Sequence, residues 1–184
     1  KPKEEVVDLT PRAYHRTPEM HLREGSLVTD WGRHNIGYLK DITPYGATFQ
    51  PLDLKGYQKE KALQYVLLRD AYERLYRYES NLHEANVQWR EHLNTCYDEF
   101  VMRYGNLNAK QNVKLVMMDA GGRDILSLER VKNGKFVKAD IFERPVSFAV
   151  ESHANVGSPE EALSASLNKF GTVDLDYMRE ITDS

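Results

Sequence analysis

Apolar positions recur every three or four residues between about residue 57 and residue 104, and on either side of that stretch they fall into short alternating runs. Leu63, Val66, Leu67, Asp70 or Ala71, Leu75 and Tyr78 make one stripe, and Ala85, Trp89, Leu93, Tyr97, Phe100 and Tyr104 a second. Residues so spaced share a helix face. The pattern predicts a helix from about residue 57, a hinge at Ser80-Asn81, and a helix over about 82–104 closed by Gly105 as C-cap. A long antiparallel helix pair is the expected arrangement, and one bent helix of about 45 residues fits the same periodicity. Arg69/Glu73 and Asp70/Arg74 are expected as surface pairs, each worth about 0.2–0.5 kcal/mol.

Runs at 26–30, 36–40 and 47–52, separated by Trp31-Gly32-Arg33-His34-Asn35 and by Thr43-Pro44-Tyr45-Gly46, predict a three-stranded N-terminal meander. After Asn112 the period is again two, and strands are expected at 114–119, 125–132 and 135–142. Asn133-Gly134 is the strongest hairpin signal in the chain, since a type I′ turn needs two residues at positive φ. Residues 1–23 carry Pro2, Pro11 and Pro18 without periodicity and read as an extended arm. Towards the other end, Ser158-Pro159-Glu160-Glu161 combines a capping serine, a proline at the first helical position and a glutamate three residues after the cap. Helices over 159–169 and 175–181, joined across Phe170-Gly171-Thr172, look like the opening half of a helix-turn-helix. The expected chain is therefore α+β: an arm at 1–23, a meander at 24–56, a helical hairpin at 57–110, a β-hairpin sheet at 111–150 and a helix-turn-helix-like pair at 151–184. It begins without Met and ends on Thr182-Asp183-Ser184, which suits the start of another helix, so a piece of a longer protein is expected.

Composition narrows the class. With 41% hydrophobic and 29% charged residues, a folded, soluble chain is expected. No run approaches the ~18–20 apolar residues of a membrane span, so a cytoplasmic location without a membrane partner is expected. Cys96 is the only cysteine, which excludes an intrachain disulfide and a paired-cysteine zinc site. A formal net charge of -3 means that DNA, if bound, meets a local basic patch and not the whole surface.

Such a patch lies on the expected hairpin, where Lys132 and Lys135 flank the turn and Arg130 and Lys138 follow on either side. Affinity for phosphates comes from several cations acting together with counterion release, so these four are the candidate nucleic-acid-binding residues. Lysines also keep a strand edge from pairing, and that reading stands beside the first. The run Val116-Met117-Met118-Asp119-Ala120-Gly121-Gly122-Arg123-Asp124 echoes a loop that approaches S-adenosylmethionine closely, but a glycine is missing at Arg123 and a strand pattern follows. A turn between strands is expected there. Thr43-Pro44-Tyr45 lacks the second proline and the Asn or Asp of a base-holding methylase motif and reads as a turn. His92 and Cys96 are one helical turn apart without a third ligand, which suits a boundary pair better than a metal site. A Walker A loop and an Asp-Glu-x-His box are both absent. No catalytic, cofactor or metal residue is assigned, and the chain is expected to be inactive alone.

Three runs resemble, in this order, the middle of the large helicase–methylase proteins carried by bacterial conjugative elements and phages. They are Tyr97-Asp98-Glu99-Phe100-Val101-Met102-Arg103-Tyr104-Gly105-Asn106-Leu107-Asn108, then Lys138-Ala139-Asp140-Ile141-Phe142-Glu143-Arg144, then Glu161-Ala162-Leu163-Ser164-Ala165-Ser166-Leu167-Asn168. Such parents join an adenine-specific DNA methylase to a Swi/Snf-like helicase motor. The resemblance implies DNA and the neighbouring helicase and methylase domains as partners, with S-adenosylmethionine and ATP/Mg belonging to the parent outside these residues. For this segment it implies a non-catalytic, DNA-engaging accessory role. A structural spacer or docking module between motor and methylase, without its own DNA contact, is the alternative. Tyr97, Tyr104, Asn108 and Asn112 fall in the densest part of the likeness, where a docking surface and a purely structural role are both open.

Overall fold

The computed structural model describes residues 6–30 and 34–148, so the expected helices at 159–169 and 175–181 lie outside the described residues. The chain divides into two units, one drawn from Lys1–Leu75 and Val87–Phe142, the other from Tyr76–Asn86 and the residues after Phe142.

In the first unit the meander forms as expected and gains a strand. β1 (Arg12–Ala13), β2 (Leu27–Asp30), β3 (Asn35–Thr43) and β4 (Gly46–Pro51) are antiparallel neighbours in the order β1-β4-β3-β2. The added strand comes from the arm, where Arg12 pairs with Phe49 and Ala13 with Thr48. Alternation puts Leu27, Ile36 and Tyr38 on one face of the sheet and Val28, Leu39 and Phe49 on the other. The first face joins the helical core, and the second is closed by Tyr14 and Leu22 of the arm. An apolar sheet face has to be covered, and here the arm covers it. Arg12 also donates to Asp30 at 2.7 Å, joining the two edge strands. Thr43-Pro44-Tyr45 is the turn between β3 and β4, with Tyr45 almost fully exposed.

The helix pair is α1 (Gly56–Leu82) and α2 (Val87–Tyr104). Their break falls at 83–86, not at Ser80-Asn81, and α2 starts five residues later than its periodicity suggests. Leu63, Val66, Ala71 and Leu75 pack with Leu93, Tyr97, Phe100 and Tyr104 as the stripes predict, whereas Leu67 and Trp89 are exposed. Arg69 and Asp70, expected at the surface, are buried, and Arg74 pairs with Glu19 of the arm at 2.7 Å. α1 is buried on more than one side because other elements pack around it.

The second expectation that fails is the strand at 114–119. Those residues belong to α3 (Lys110–Met118), which buries Asn112, Leu115 and Val116 at helical spacing. The alternation of Val113, Leu115 and Met117 fits a strand equally well, and so short an apolar run cannot be assigned by period alone. The turn expected between strands is instead a corner between α3 and α4 (Gly122–Leu126). A side chain at Gly122 would collide with the Val116 carbonyl, so only glycine lets the two helices approach this closely. The strand expected at 125–132 is the end of α4 followed by β5 (Glu129–Lys132). Its partner β6 (Lys135–Lys138) stops four residues before the expected end, and Asp140–Phe142 forms a 3-10 turn that buries Ile141 and Phe142.

In the second unit, Glu79 is buried and accepts a 2.8 Å hydrogen bond from the Asn86 amide. His83, at φ 51, ends α1 with its amide on the Glu79 carbonyl at 2.8 Å. Among the described residues no helix is long and apolar enough to cross a membrane.

Candidate nucleic-acid interface

The β5–β6 hairpin is seated on one carboxylate. Glu129, buried at the root of β5, accepts hydrogen bonds from the Tyr97 hydroxyl at 2.7 Å, from the Asn106 side chain at 2.9 Å, and from the Leu107 and Asn108 amides at 2.9 Å each. The Asn108 side-chain amide donates to it as well, at 2.9 Å, and to the Leu126 carbonyl. Burial works against the Glu129 charge, but the donors from Tyr97, Asn106 and Asn108 outweigh it and hold this carboxyl below its ordinary pKa. Burial, and then the neighbouring Glu129, push the Tyr97 phenol well above its own.

Asn112 is equally engaged. Its side-chain amide donates to the carbonyls of Tyr104, Gly105 and Asn106 at 2.9, 3.2 and 2.8 Å, satisfying the end of α2, while its oxygen accepts from Lys61 at 3.0 Å. Tyr104 is buried with its ring 5.2 Å from Phe100 and 5.4 Å from Tyr57. Tyr97, Tyr104, Asn108 and Asn112 are therefore structural in this unit. The polar groups of Tyr97, Asn108 and Asn112 are engaged within the fold, and Tyr104 contributes its buried ring while its hydroxyl has no hydrogen-bond partner.

At the tip, Asn133 and Gly134 take φ of 54 and 76, the pair of positive values that the turn requires. The register pairs Lys132 with Lys135, Val131 with Phe136 and Arg130 with Val137. Alternation puts Arg130, Lys132 and Lys135 on one face of the hairpin and Lys138 on the other with Val131 and Phe136. The four candidate cations thus do not form one patch. Lys138 folds back onto α2, 2.7 Å from the Asn94 oxygen and 3.0 Å from Asp98, over the rings of Phe142 and Tyr97. Arg130 pairs with Asp140 at 2.7 Å. Lys132 and Lys135 are exposed, and Val131 and Phe136 are 69% and 39% exposed on the reverse face.

The acidic residue of the glycine run is also internal. Asp119 accepts from the Tyr65 hydroxyl at 2.6 Å, from Arg69 at 2.9 Å and from the Leu27 amide at 2.9 Å, tying the α3–α4 corner to α1 and β2. Arg69 also donates to Asp70, which His21 of the arm meets at 2.9 Å. Burial disfavours the Arg69 charge, yet Asp70 and Asp119 together raise its pKa above the usual value. Nothing in the local sequence pattern marks Asp119, Glu129 or His21 as members of these networks, because each meets partners far along the chain. Cys96 is buried, 3.6 Å from His92, and burial pushes its thiol up to about 11.

Residues 155–184 match a family model described as the winged helix domain of a probable helicase. That segment includes the positions where the sequence pattern places the helix-turn-helix-like pair. The similarity associates this part of the chain with helicases and with a type of domain that engages DNA. No curated protein and no solved structure matches the chain.

Proposed function

We propose that this chain is a non-catalytic accessory segment of a mobile-element DNA helicase–methyltransferase, and that it engages duplex DNA beside the motor and methylase domains. The observation that carries the reading is the tip of the β5–β6 hairpin, where Lys132 and Lys135 stand exposed on a turn fixed by Asn133-Gly134 and rooted in the Glu129 network. The helicase winged-helix likeness of residues 155–184 supports it from outside the described residues. Two cations release few counterions, about 0.9 per neutralised phosphate on duplex, so this tip orients DNA that other parts of the assembly hold. A second reading, a docking module without DNA contact, is favoured by the exposed Val131/Phe136 pair on the reverse face.

Duplex binding measured by fluorescence anisotropy across a salt series separates the two. Lys132→Ser with Lys135→Ser should weaken binding and flatten the salt slope by up to about 1.8, at ~0.9 for each phosphate no longer neutralised. An unchanged slope refutes the DNA role of the tip and leaves the docking reading.

A further inference from the structure

We infer that the open groove between β3–β4 and the α3–α4 corner is a binding site for one strand of single-stranded DNA. The inference deepens the DNA reading above and rests on it, although it uses different residues. The groove has a volume of about 590 Å³ and is lined by Tyr38, Lys40, Gln50, Met117, Met118 and Arg123, among others. That is the size of site that takes one or two planar groups, within the usual ~300–1,000 Å³.

Its chemistry is that of a strand binder. Tyr38 and Lys40 are two apart on β3 and therefore share a face; both are half-buried and line the groove, the Tyr38 ring packing partly on the helical core. Met117 and Met118 supply an adaptable apolar wall, and Met117 is 46% exposed. Lys40 and Arg123 both line the groove, and neither forms an ion pair among the described residues. Glu24 also lines the groove, but its oxygens accept the Asp41 and Ile42 amides at 3.2 and 2.9 Å, so its carboxylate serves the bend of β3. Beyond the groove the cationic track continues. Lys110 and Lys114 are exposed on α3 at the i and i+4 positions of the ridge that reaches Met117 at i+7. Bases stack on rings and thioethers while cations follow the backbone, and a duplex cannot place a stacked base in such a groove. The charge that runs on past the groove favours a strand over a free nucleotide.

The test uses the full 184-residue chain, a labelled oligo-dT strand and a duplex of unrelated sequence, each titrated over a salt series. The proposal expects saturable binding of the strand, and Lys40→Ser with Arg123→Ser should flatten its salt slope by about 1.4, at ~0.7 per neutralised phosphate on a single strand. Met117→Glu, on the exposed wall, should weaken strand binding several-fold through repulsion of phosphate. Both sets should leave duplex binding and the melting temperature unchanged. Absent strand binding, an unaltered slope and affinity in both variants, or competition by dTMP equal to that of the oligonucleotide would each overturn the inference. Failure of the hairpin reading looks different: duplex binding is then indifferent to Lys132→Ser with Lys135→Ser, while the groove variants still act on the single strand.

Discussion

The Tyr97 hydroxyl donates a 2.7 Å hydrogen bond to the Glu129 carboxylate, and this bond fixes the root of the β5–β6 hairpin to the middle of α2. The acid holds the β5 end of the hairpin, while Lys138 holds the β6 end on Asn94 and Asp98 of the same helix. Removing the acid tests the arrangement directly.

Glu129→Gln keeps the shape but turns a side-chain NH2 towards some of the donors now satisfied by the carboxylate. The expected loss is about 1–3 kcal/mol, the usual penalty for buried groups left unpaired. Tyr97→Phe removes one donor and should cost less, about 0.5–1.5 kcal/mol. Urea unfolding followed by circular dichroism measures both, and equal losses would contradict this ranking.

The pH dependence has a definite sign. Glu129 is held below its ordinary value in the folded state, so its stabilisation is fully present above the unfolded glutamate pKa of about 4.3 and is lost as pH falls through the lower folded value. Stability of the native chain should therefore decline below about pH 4.3 more steeply than that of Glu129→Gln. Parallel acid unfolding curves would show that Glu129 contributes nothing to the decline.

Asp119 joins three elements, and Asp119→Ala leaves Arg69 with Asp70 as its remaining carboxylate partner. A loss of about 3 kcal/mol or more is expected from breaking so buried a pair. Tyr65→Phe should cost about 1 kcal/mol. Combining the two gives a coupling energy, expected at roughly 0.5–3 kcal/mol for residues in contact. Strict additivity would show that the 2.6 Å hydrogen bond carries no energy of its own.

The cations of the hairpin should separate into two behaviours. Lys138→Ser removes the bonds to Asn94 and Asp98 and uncovers the Tyr97 and Phe142 rings, so it should lower the melting temperature with little effect on the salt slope of DNA binding. Lys132→Ser with Lys135→Ser should do the reverse. A four-cation patch acting as one would make the two effects indistinguishable.

Cys96 should react slowly with a thiol-specific disulfide reagent at neutral pH, because burial and then Glu99 raise its thiol to about 11 and its side chain is covered. Denaturant should restore ordinary reactivity. Fast reaction of the native chain would place the thiol at the surface.

The sequence by itself determined the elements whose signal is local and strong. The helical stripes of α1 and α2, the meander and the Asn133-Gly134 turn each depend on neighbours within a few residues, and each forms, although the break between the helices falls at 83–86 and α2 begins only at Val87. The α3–α4 corner was not legible, since Lys110–Met118 satisfies both periods and the choice between them is made by what Asn112, Leu115 and Val116 bury against. The arm was legible as an extended segment, but its pairing with β4 and its cover of the sheet were not. Arg12 and Tyr14 acquire their roles only when β4 and the outer sheet face are already in place.

The candidate site divides in the same way. Its residue types could be read from the chain, and the exposure of Lys132 and Lys135 follows from their place beside a tight turn. That Lys138 is engaged by Asn94 and Asp98, that Tyr97, Asn108 and Asn112 are structural, and that Tyr38, Lys40 and Arg123 share one groove were decided only by the tertiary structure. A side chain's partners across the fold lie tens of residues away, and no local periodicity records them.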